Sequence, residues 1–288
     1  MTQQTVGWKA HSNGSTVVIS DLTDFDLDKI FDCGQCFRFE KAEDGRWCGP
    51  AFGRVLTASQ EGSTLTLSKC STEEFEYIWR VFFDLDRDYG EIRKMICTDD
   101  TISGAVRKGE GIRILRQDTW EALISFIISQ NNNIPRIKKI ISAVCRAYGH
   151  DIGGYFSFPT PEELSVATTE ELHALGTGYR DEYIVQTVRK VLDGAFDMDK
   201  LNSLPTVEAR EYLLSLKGVG GKVADCVLLF GMGRMSVCPH DVWVKRIFSE
   251  QYGLEKVNEK KGYALASGKW GDNAGIAQQY LFYAFRGF

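Results

Sequence analysis

Residues 213–225 read LLSLKGVGGKVAD, and this stretch decides how we interpret the rest of the chain. A leucine-rich helix is predicted to end in the glycine turn of residues 218–221, and a second apolar helix begins at once. The turn glycines, Gly218, Gly220 and Gly221, permit positive φ and leave their amide hydrogens uncovered. Those amides and the N-terminus of the second helix predict an anion site that suits one phosphate group. A tight turn between two helices without any ligand is the alternative interpretation.

Lys222 follows this turn directly. A lysine attacks a carbon atom only as the neutral amine. The dipole at a helix N-terminus and burial both disfavour the ammonium form. The position therefore predicts an amine nucleophile, and an ordinary exposed surface lysine is the alternative.

Asp241 lies 19 residues after Lys222, within the run Cys238-Pro239-His240-Asp241-Val242-Trp243. An amphipathic segment follows it, so the carboxylate is placed to cap the N-terminus of a helix. Taken alone, the residue is explained by that structural role.

The composition is that of a globular protein, because 43% of the 288 residues are apolar and 25% are charged. No stretch approaches the length of a membrane span, and residues 1–20 lack the pattern of a signal peptide, so we expect a cytoplasmic protein. The net charge of −5 lies wholly in residues 1–113, which hold 14 Lys+Arg and 19 Asp+Glu, whereas residues 114–288 hold 20 of each. This charge distribution neither supports nor excludes a nucleic-acid partner.

The first part of the chain is typical of β-strands. Residues 16–19 are β-branched and residues 64–67 alternate, with Asp44-Gly45 and Glu61-Gly62 as turn signals. Residues 46–48 and 54–57 are predicted as strands on either side of a turn at Gly49-Pro50. We expect an antiparallel meander, followed by a helix over residues 73–83.

From Asp118 onward the apolar period is helical, with two stripes separated by the polar residues 129–133. Asn133 is placed to cap the second of these helices, and further helix starts are indicated at Thr160, Thr169 and Pro205. The predicted fold class is α+β: an N-terminal antiparallel β-sheet domain, residues 1–113, followed by a two-lobed all-α body, residues 114–288.

The eight cysteines are scattered, and only Cys33 and Cys36 have a spacing seen in metal or redox sites. A zinc site needs a second pair or nearby histidines, and the sequence has neither at a suitable spacing. We therefore expect reduced buried thiols, no metal site and no cofactor.

The stretch 213–225 resembles the helix-hairpin-helix superfamily of DNA glycosylases, which includes endonuclease III and 8-oxoguanine DNA glycosylase. In that superfamily a lysine at the position of Lys222 marks the bifunctional enzymes, which form a Schiff base with the sugar. Asp241, in a Pro-x-Asp-Val setting, resembles the catalytic aspartate. The resemblance implies that its carboxylate stabilises positive charge on the deoxyribose as the base leaves.

Within the superfamily, the chain is most similar to the 8-oxoguanine branch. Endonuclease III-like enzymes carry four clustered cysteines after the aspartate, and this chain has none beyond Cys238. The 3-methyladenine branch lacks the nucleophilic lysine. Residues 31–38 resemble the Gly-Gln-x-Phe-Arg motif of the 8-oxoguanine family, in which the carbonyl of Gly34 would accept a hydrogen bond from N7–H, a group that guanine lacks.

The same resemblance implies roles for further residues, because chemistry on a base requires that it be flipped out of the duplex. Cys226 and Phe282 resemble the pair that sandwiches the extruded base, and Gln278 falls where the family reads its Watson–Crick edge. The residues that match the opposite-base and duplex contacts are Asn131, Arg136, Tyr179, as the wedge, and Arg180.

One position departs from the family pattern: Trp243 stands where eukaryotic members usually have a phosphate-contacting histidine, and His240 is a candidate replacement. The implied function is excision of 8-oxoguanine, preferentially opposite cytosine, from double-stranded DNA by a monomer, nucleoid-associated if prokaryotic. The open alternatives are a glycosylase for an alkylated purine and a non-catalytic DNA-binding module. A metal ion held by hairpin carbonyls also stays open.

Overall fold

The computed structural model describes residues 7–286, which begin with a six-stranded antiparallel sheet. Its spatial order is β1-β2-β6-β5-β4-β3. The strands predicted at residues 46–48, 54–57 and 64–67 are β4, β5 and β6 and form the expected meander, whereas the strand predicted at residues 16–19, β2, pairs with β6 and not with β4. The strands are β1 (Lys9–Ser12), β2 (Thr16–Ser20), β3 (Glu40–Lys41), β4 (Trp47–Ala51), β5 (Arg54–Glu61) and β6 (Thr64–Ser68).

Alternating apolar residues fix the register of this sheet. Val17 of β2 pairs with Leu67 of β6, and Ile19 pairs with Leu65, so that all four side chains reach the same buried face. A one-residue slip would turn every one of them to solvent. The buried face packs on a cluster of aromatic rings that includes the stacked pair Phe31 and Phe39.

The predicted turn at Gly49-Pro50 is wrong, because β4 runs through both residues and Pro50 pairs with Val55. The chain reverses at Phe52 and Gly53, whose φ values of +53° and +70° suit a two-residue hairpin turn. Proline is tolerated because β3 covers only the beginning of β4, at Trp47 and Cys48, so Pro50 lies where the strand has a free edge.

Helices account for the rest of the described chain, and most begin at the residues that the sequence indicates. Asn133 caps α7, Thr160 caps α8 with Glu163 in a capping box, and α12 begins at Thr206 after Pro205. Two π-helical segments, Phe75–Trp79 and Val227–Gly231, continue α2 and α13. The α-helices are α1 (Leu27–Asp32), α2 (Thr72–Glu74), α3 (Arg80–Phe82), α4 (Tyr89–Ile96), α5 (Asp100–Lys108), α6 (Thr119–Ser129), α7 (Ile134–Tyr148), α8 (Pro161–Leu164), α9 (Thr169–Ala174), α10 (Asp181–Leu192), α11 (Met198–Ser203), α12 (Thr206–Leu214), α13 (Gly221–Cys226), α14 (Val242–Tyr252), α15 (Glu259–Trp270) and α16 (Ala274–Arg286).

The helices form two lobes, which confirms the predicted α+β fold class with a two-lobed helical body. One lobe contains α6 to α13, and in the other α4 and α5 pack with α14, α15 and α16. Helices α4 and α5 thus belong by packing to the helical body, although they precede residue 113 in sequence. The division at residue 113 stays a prediction, and its outer limits at residues 1 and 288 lie outside the described residues.

None of the helices in residues 7–286 combines the length and the apolar character that crossing a bilayer would require.

Candidate active site and DNA-binding surface

A cavity of about 550 Å³ opens between the two helical lobes. Its walls collect side chains from segments that are far apart in sequence, including the loop after α1, the end of α6, α13, the start of α14 and α16. The predicted site residues that line it are Gly34, Asn131, Tyr179, Gly220, Lys222, Cys226, Asp241, Gln278 and Phe282. The predicted residues outside its lining are Arg136, Arg180, Gly218 and Gly221.

Lys222 is the second residue of α13 and is partly buried in the cavity wall. Its Nζ donates to the Ser129 hydroxyl at 3.0 Å and lies 5.2 Å from the centre of the Phe126 ring. Both partners come from α6, so the end of that helix fixes the position of the amine. The surroundings of the Lys222 amine are the Ser129 hydroxyl, the Phe126 ring and the Cys226 thiol.

Cys226 and Phe282 stand in the cavity lining, on α13 and α16, with 3% and 8% of their surfaces exposed. Burial raises the pKa of the Cys226 thiol to about 12, so the side chain is neutral and apolar at physiological pH. Gln278 lines the same cavity, and its Oε1 atom accepts no hydrogen bond within the described part of the chain. A buried acceptor without a partner is costly unless a ligand supplies a donor.

Asp241 caps α14, as its position in the sequence predicts. Its Oδ1 accepts a hydrogen bond from the Val244 amide at 2.8 Å. The helix dipole favours negative charge at this end. The same carboxylate lines the cavity that Lys222 enters, so the structural role and a role toward a cavity ligand are compatible.

Gly34 adopts φ = +79°, a conformation that glycine reaches without strain. A Cβ atom at this position would lie 3.1 Å from Ile134 Cδ1 and 3.5 Å from Phe282 Cε1. Glycine therefore lets the backbone of this loop lie close to Ile134 and Phe282 in the cavity wall, where a Cβ atom would be crowded.

The three hairpin glycines serve different purposes, and only Gly218 adopts the positive φ that the sequence suggested for the turn, at +82°. A Cβ at Gly218 would collide with the Tyr183 ring, and one at Gly221 would collide with the Glu259 carboxylate. Gly220 is exposed and has open space around it, with φ of −92°.

The Glu259 carboxylate beside the hairpin is compensated by Arg210, whose Nη2 donates to it at 3.0 Å. Arg210 also donates from Nε to the buried Asp225 at 2.8 Å. Burial raises the pKa of Asp225 to about 6, although Arg210 acts in the opposite direction. An incoming phosphate group at the hairpin would therefore meet a carboxylate that is already paired.

Asn131 and Tyr179 lie on the exposed rim of the cavity, and Arg136 is exposed outside its lining. Asn131 has φ = +45°, which is uncommon outside glycine, and it follows the end of α6. Tyr179 is 52% exposed, and its ring packs edge-on against Tyr183. All three side chains are therefore accessible from solvent.

Arg180 does not share that exposure, because only 3% of its surface is accessible. Its guanidinium lies 4.4 Å from the centre of the Tyr179 ring and donates to the Gln130 carbonyl at 2.9 Å and the Asn131 carbonyl at 3.2 Å. A direct contact with an opposite base requires that some of these bonds be exchanged.

Of the two candidate phosphate contacts, His240 is unsuitable. It belongs to the cavity lining, but only 3% of its surface is exposed, its ring packs against Phe248 and Tyr263, and burial lowers its pKa. Trp243 is 38% exposed and lines the cavity, so its indole is accessible to a ligand, but it carries no charge.

Two residues at the end of α6 contribute to the site although the sequence interpretation did not assign them a role. Ser129 holds the Lys222 amine, and Gln130 donates to the Gly218 carbonyl at 2.9 Å while its own carbonyl accepts from Arg180. Ser129 is one of three polar residues that α6 buries, with Glu121 and Ser125, and its place at the end of that helix is the one sequence signal that points to it. Across residues 7–286 no group of three or more His, Cys, Asp or Glu side chains is arranged to hold a metal ion.

Comparison with known families covers most of the chain. Residues 17–123 match the family model described as "8-oxoguanine DNA glycosylase, N-terminal domain". Residues 124–271 match the model described as "HhH-GPD superfamily base excision DNA repair protein".

Individual relatives agree with these models. The N-glycosylase/DNA lyase of Saccharomyces cerevisiae is 36% identical over 60% of this chain, and the match spans 56% of the yeast protein. The N-glycosylase/DNA lyase OGG1 of Arabidopsis thaliana is 32% identical over 91% of this chain and 78% of the plant protein. The Clostridium acetobutylicum 8-oxoguanine glycosylase/lyase, solved with double-stranded DNA containing cytosine opposite 8-oxoguanine, superposes with a TM-score of 0.91 at 38% identity over 97% of both chains. This chain therefore belongs to the HhH-GPD superfamily of base excision DNA repair proteins and, within it, to the 8-oxoguanine DNA glycosylases.

Proposed function

We propose that this protein is a bifunctional DNA glycosylase and AP lyase that excises 8-oxoguanine, preferentially opposite cytosine, from double-stranded DNA. One observation carries the proposal: a single cavity brings Lys222 and Asp241 together with Gly34, Gln278 and Phe282. A protein that only binds DNA has no need of an amine and a carboxylate beside a pocket of this size.

In the proposed reaction, the Lys222 amine attacks C1′ of the deoxyribose while the bond from C1′ to N9 of the base breaks. The base leaves with the bonding electrons and takes up the proton that the amine gives up. Asp241 stabilises the positive charge that develops on the sugar. No cofactor takes part.

The second stage converts the covalent adduct into a strand break. The sugar ring opens, and C1′ and the Lys222 nitrogen form a Schiff base. Loss of a proton from C2′ then expels the 3′-phosphate by β-elimination. A glycosylase that used water as its nucleophile would stop after base release.

Lesion recognition in this proposal depends on the cavity walls. The Gly34 carbonyl accepts a hydrogen bond from N7–H of 8-oxoguanine, a bond that guanine cannot donate. Gln278 pairs with the Watson–Crick edge, which is consistent with its unpaired buried Oε1. Cys226 and Phe282 pack on the two faces of the base, and the neutral state of the thiol suits that contact.

The opposite strand meets the exposed rim. We assign Tyr179 as the wedge and Asn131 as the residue that fills the gap left by the flipped base. Arg136 is exposed and free to reach the opposite cytosine, whereas Arg180 reaches it only after giving up backbone carbonyls. The amides of the hairpin turn at residues 218–221 bind one DNA phosphate.

We further propose that the enzyme acts as a monomer and works in the cytoplasm, at the nucleoid if the cell is prokaryotic. Light scattering of the protein with and without duplex DNA tests the first statement, and imaging of a fluorescent fusion tests the second.

A strand-cleavage assay tests the proposed function. Duplexes that contain 8-oxoguanine, 3-methyladenine or undamaged guanine are each placed opposite cytosine, and the 8-oxoguanine duplex is also prepared opposite adenine. We expect cleavage only at 8-oxoguanine and faster cleavage opposite cytosine. Cleavage of the 3-methyladenine duplex would indicate an alkylated-purine glycosylase, and binding without cleavage of any duplex would indicate a non-catalytic module.

A further inference from the structure

The Gln279 side chain connects the helix that carries two base-contacting residues to the loop of Gly34. Its Nε2 donates to the Cys33 carbonyl at 2.9 Å, and only 2% of Gln279 is exposed. We propose that Gln279 is a positioning residue for lesion recognition: by holding the peptide that precedes Gly34, it keeps the Gly34 carbonyl in one orientation. This inference rests on the function proposed above.

Gly34 needs such a constraint because it has no side chain of its own to fix the backbone. Glycine at φ = +79° has access to wide regions of conformational space on either side. The peptides on either side of Gly34 therefore have to hold its carbonyl in place. A recognition group must be held closely to be selective.

The peptide before Gly34 is held at every polar atom of Cys33. The amide donates to the Lys29 carbonyl at 3.1 Å, the thiol lies 3.3 Å from the Ile30 carbonyl, and the carbonyl accepts from Gln279. Cys33 is fully buried, so water cannot replace the Gln279 amide.

The peptide after Gly34 is held as firmly. The Gln35 carbonyl accepts from Gln117 Nε2 at 2.7 Å. The Gln35 side chain donates to the Arg113 carbonyl at 2.8 Å and accepts from the Leu115 amide at 2.9 Å. The Gly34 carbonyl therefore lies between two anchored peptides.

Gln279 differs from the other anchors in its position on α16. Its neighbours on that helix are Gln278, directly before it, and Phe282, three residues after it, and both line the cavity. The bond to Cys33 thus fixes the Gly34 loop relative to the helix that contacts the edge and the face of the base. Removing the Gln279 donor leaves the buried Cys33 carbonyl unpaired and releases this connection. The nucleophile should stay in place, because Lys222 lies on another helix, α13.

The test uses Gln279→Met, which keeps the length of the side chain but cannot donate, and Gln279→Glu, which cannot donate when ionised. Affinities for 8-oxoguanine and guanine duplexes, each opposite cytosine, are measured in a Lys222→Gln background so that no cleavage occurs. Borohydride trapping at a preformed abasic site, which has no base to recognise, is measured with proteins that retain Lys222. Gln60→Met is the matched control. The Gln60 side chain likewise donates to a backbone carbonyl, that of Phe25, but it lies in the sheet domain.

We expect the ratio of the two affinities to fall about tenfold in Gln279→Met, and at least as far in Gln279→Glu, while abasic-site trapping changes less than twofold. Gln60→Met should leave the ratio unchanged. An unchanged ratio in the Gln279 variants, a parallel loss of trapping, or failure of both variants to fold would each overturn the proposal. If the Lys222→Gln protein that retains Gln279 binds 8-oxoguanine and guanine duplexes equally well, the proposed function itself fails and this inference fails with it.

Discussion

The lesion side of the cavity and the opposite-strand side are built in contrasting ways. On the lesion side, Gly34, Cys226 and Gln278 are held among buried groups before any DNA is present. On the opposite-strand side, Arg136 and Tyr179 are exposed. We therefore propose that the base pocket is preorganised, whereas reading of the opposite strand depends on bound DNA.

Arg180 fixes the backbone on the exposed side of the cavity through hydrogen bonds to two carbonyls. It anchors the carbonyls of Gln130 and Asn131, and the Gln130 side chain in turn holds the Gly218 carbonyl of the hairpin. The rim residues therefore stand on an anchored backbone, even though their side chains are free to adapt.

The largest expected effect separates the two roles of Asp241. Asparagine caps a helix about as well as aspartate, so Asp241→Asn should change the free energy of unfolding by less than about 0.5 kcal/mol. The amide supplies no negative charge, and we expect release of 8-oxoguanine to slow by about 10²- to 10³-fold. Single-turnover base release and denaturant unfolding measure the two quantities.

The matched control is Asp197→Asn, since Asp197 caps α11 through bonds to the Asp199 and Lys200 amides and lies outside the cavity lining. It should leave base release unchanged. If Asp241→Asn released the base at the original rate, its carboxylate would be only a helix cap.

The next effect tests preorganisation of the lesion side. In Gly34→Ala, the new Cβ would press on Ile134 and Phe282, and positive φ costs an L-residue about 1–2 kcal/mol. We expect release of 8-oxoguanine to fall about 10- to 100-fold because a recognition group is displaced. Gly45→Ala has the same backbone strain at φ = +82° but open space around it, so it should retain activity. Equal losses in both variants would show that strain alone is responsible.

A smaller effect distinguishes the two arginines of the opposite-strand side. Arg136→Gln should reduce the preference for cytosine over adenine about tenfold, without loss of stability, because Arg136 is exposed. Arg180→Gln should lower the free energy of unfolding by about 1–3 kcal/mol, because it leaves the buried Thr177 carbonyl without this donor and also removes the bonds to the Gln130 and Asn131 carbonyls. The measurements are cleavage opposite each of the four bases and denaturant unfolding. Loss of cytosine preference in Arg180→Gln at unchanged stability would mean that Arg180 leaves its carbonyls and reads the base directly.

A final prediction, on stability alone, concerns the contact between the sheet domain and the helical body, where Glu121 pairs with Arg38 at 3.2 Å. Burial raises the pKa of Glu121 to about 7, from 4.5, so the folded protein binds this proton more tightly than the unfolded chain. The stabilisation is complete below about pH 4.5 and is lost as the pH rises through 7.

Glu121→Gln removes that titration. The free energy of unfolding of the original protein, relative to the variant, should therefore decrease by roughly 1–3 kcal/mol between pH 5 and pH 8. Denaturant unfolding at intervals of one pH unit measures the difference. A difference that stays constant across this range would contradict the raised pKa.

Local features of the fold and the site were more predictable from sequence than contacts between distant segments. Residues that follow a local rule were placed well: the caps at Asn133 and Asp241, the strand at residues 16–19, and the helix that begins after the glycine turn. Each of these depends on neighbours within a few residues, which is the information that periodicity and capping patterns carry.

Features that depend on contacts between distant segments were missed. The turn at Gly49-Pro50 was wrong because a free strand edge, set by the length of β3, permits proline inside β4. The direction of the Arg180 side chain depends on where the loop at Asn131 lies, and the role of Gln279 depends on a carbonyl 246 positions away. No pattern along the chain encodes these distances.

Borohydride trapping with a duplex that contains 8-oxoguanine opposite cytosine is the sharpest test of Lys222 as the nucleophile. We expect the original protein to form a covalent adduct, and Lys222→Gln to form none while it still binds this duplex more tightly than one with guanine. An undiminished adduct in Lys222→Gln would contradict the assignment of Lys222 as the nucleophile.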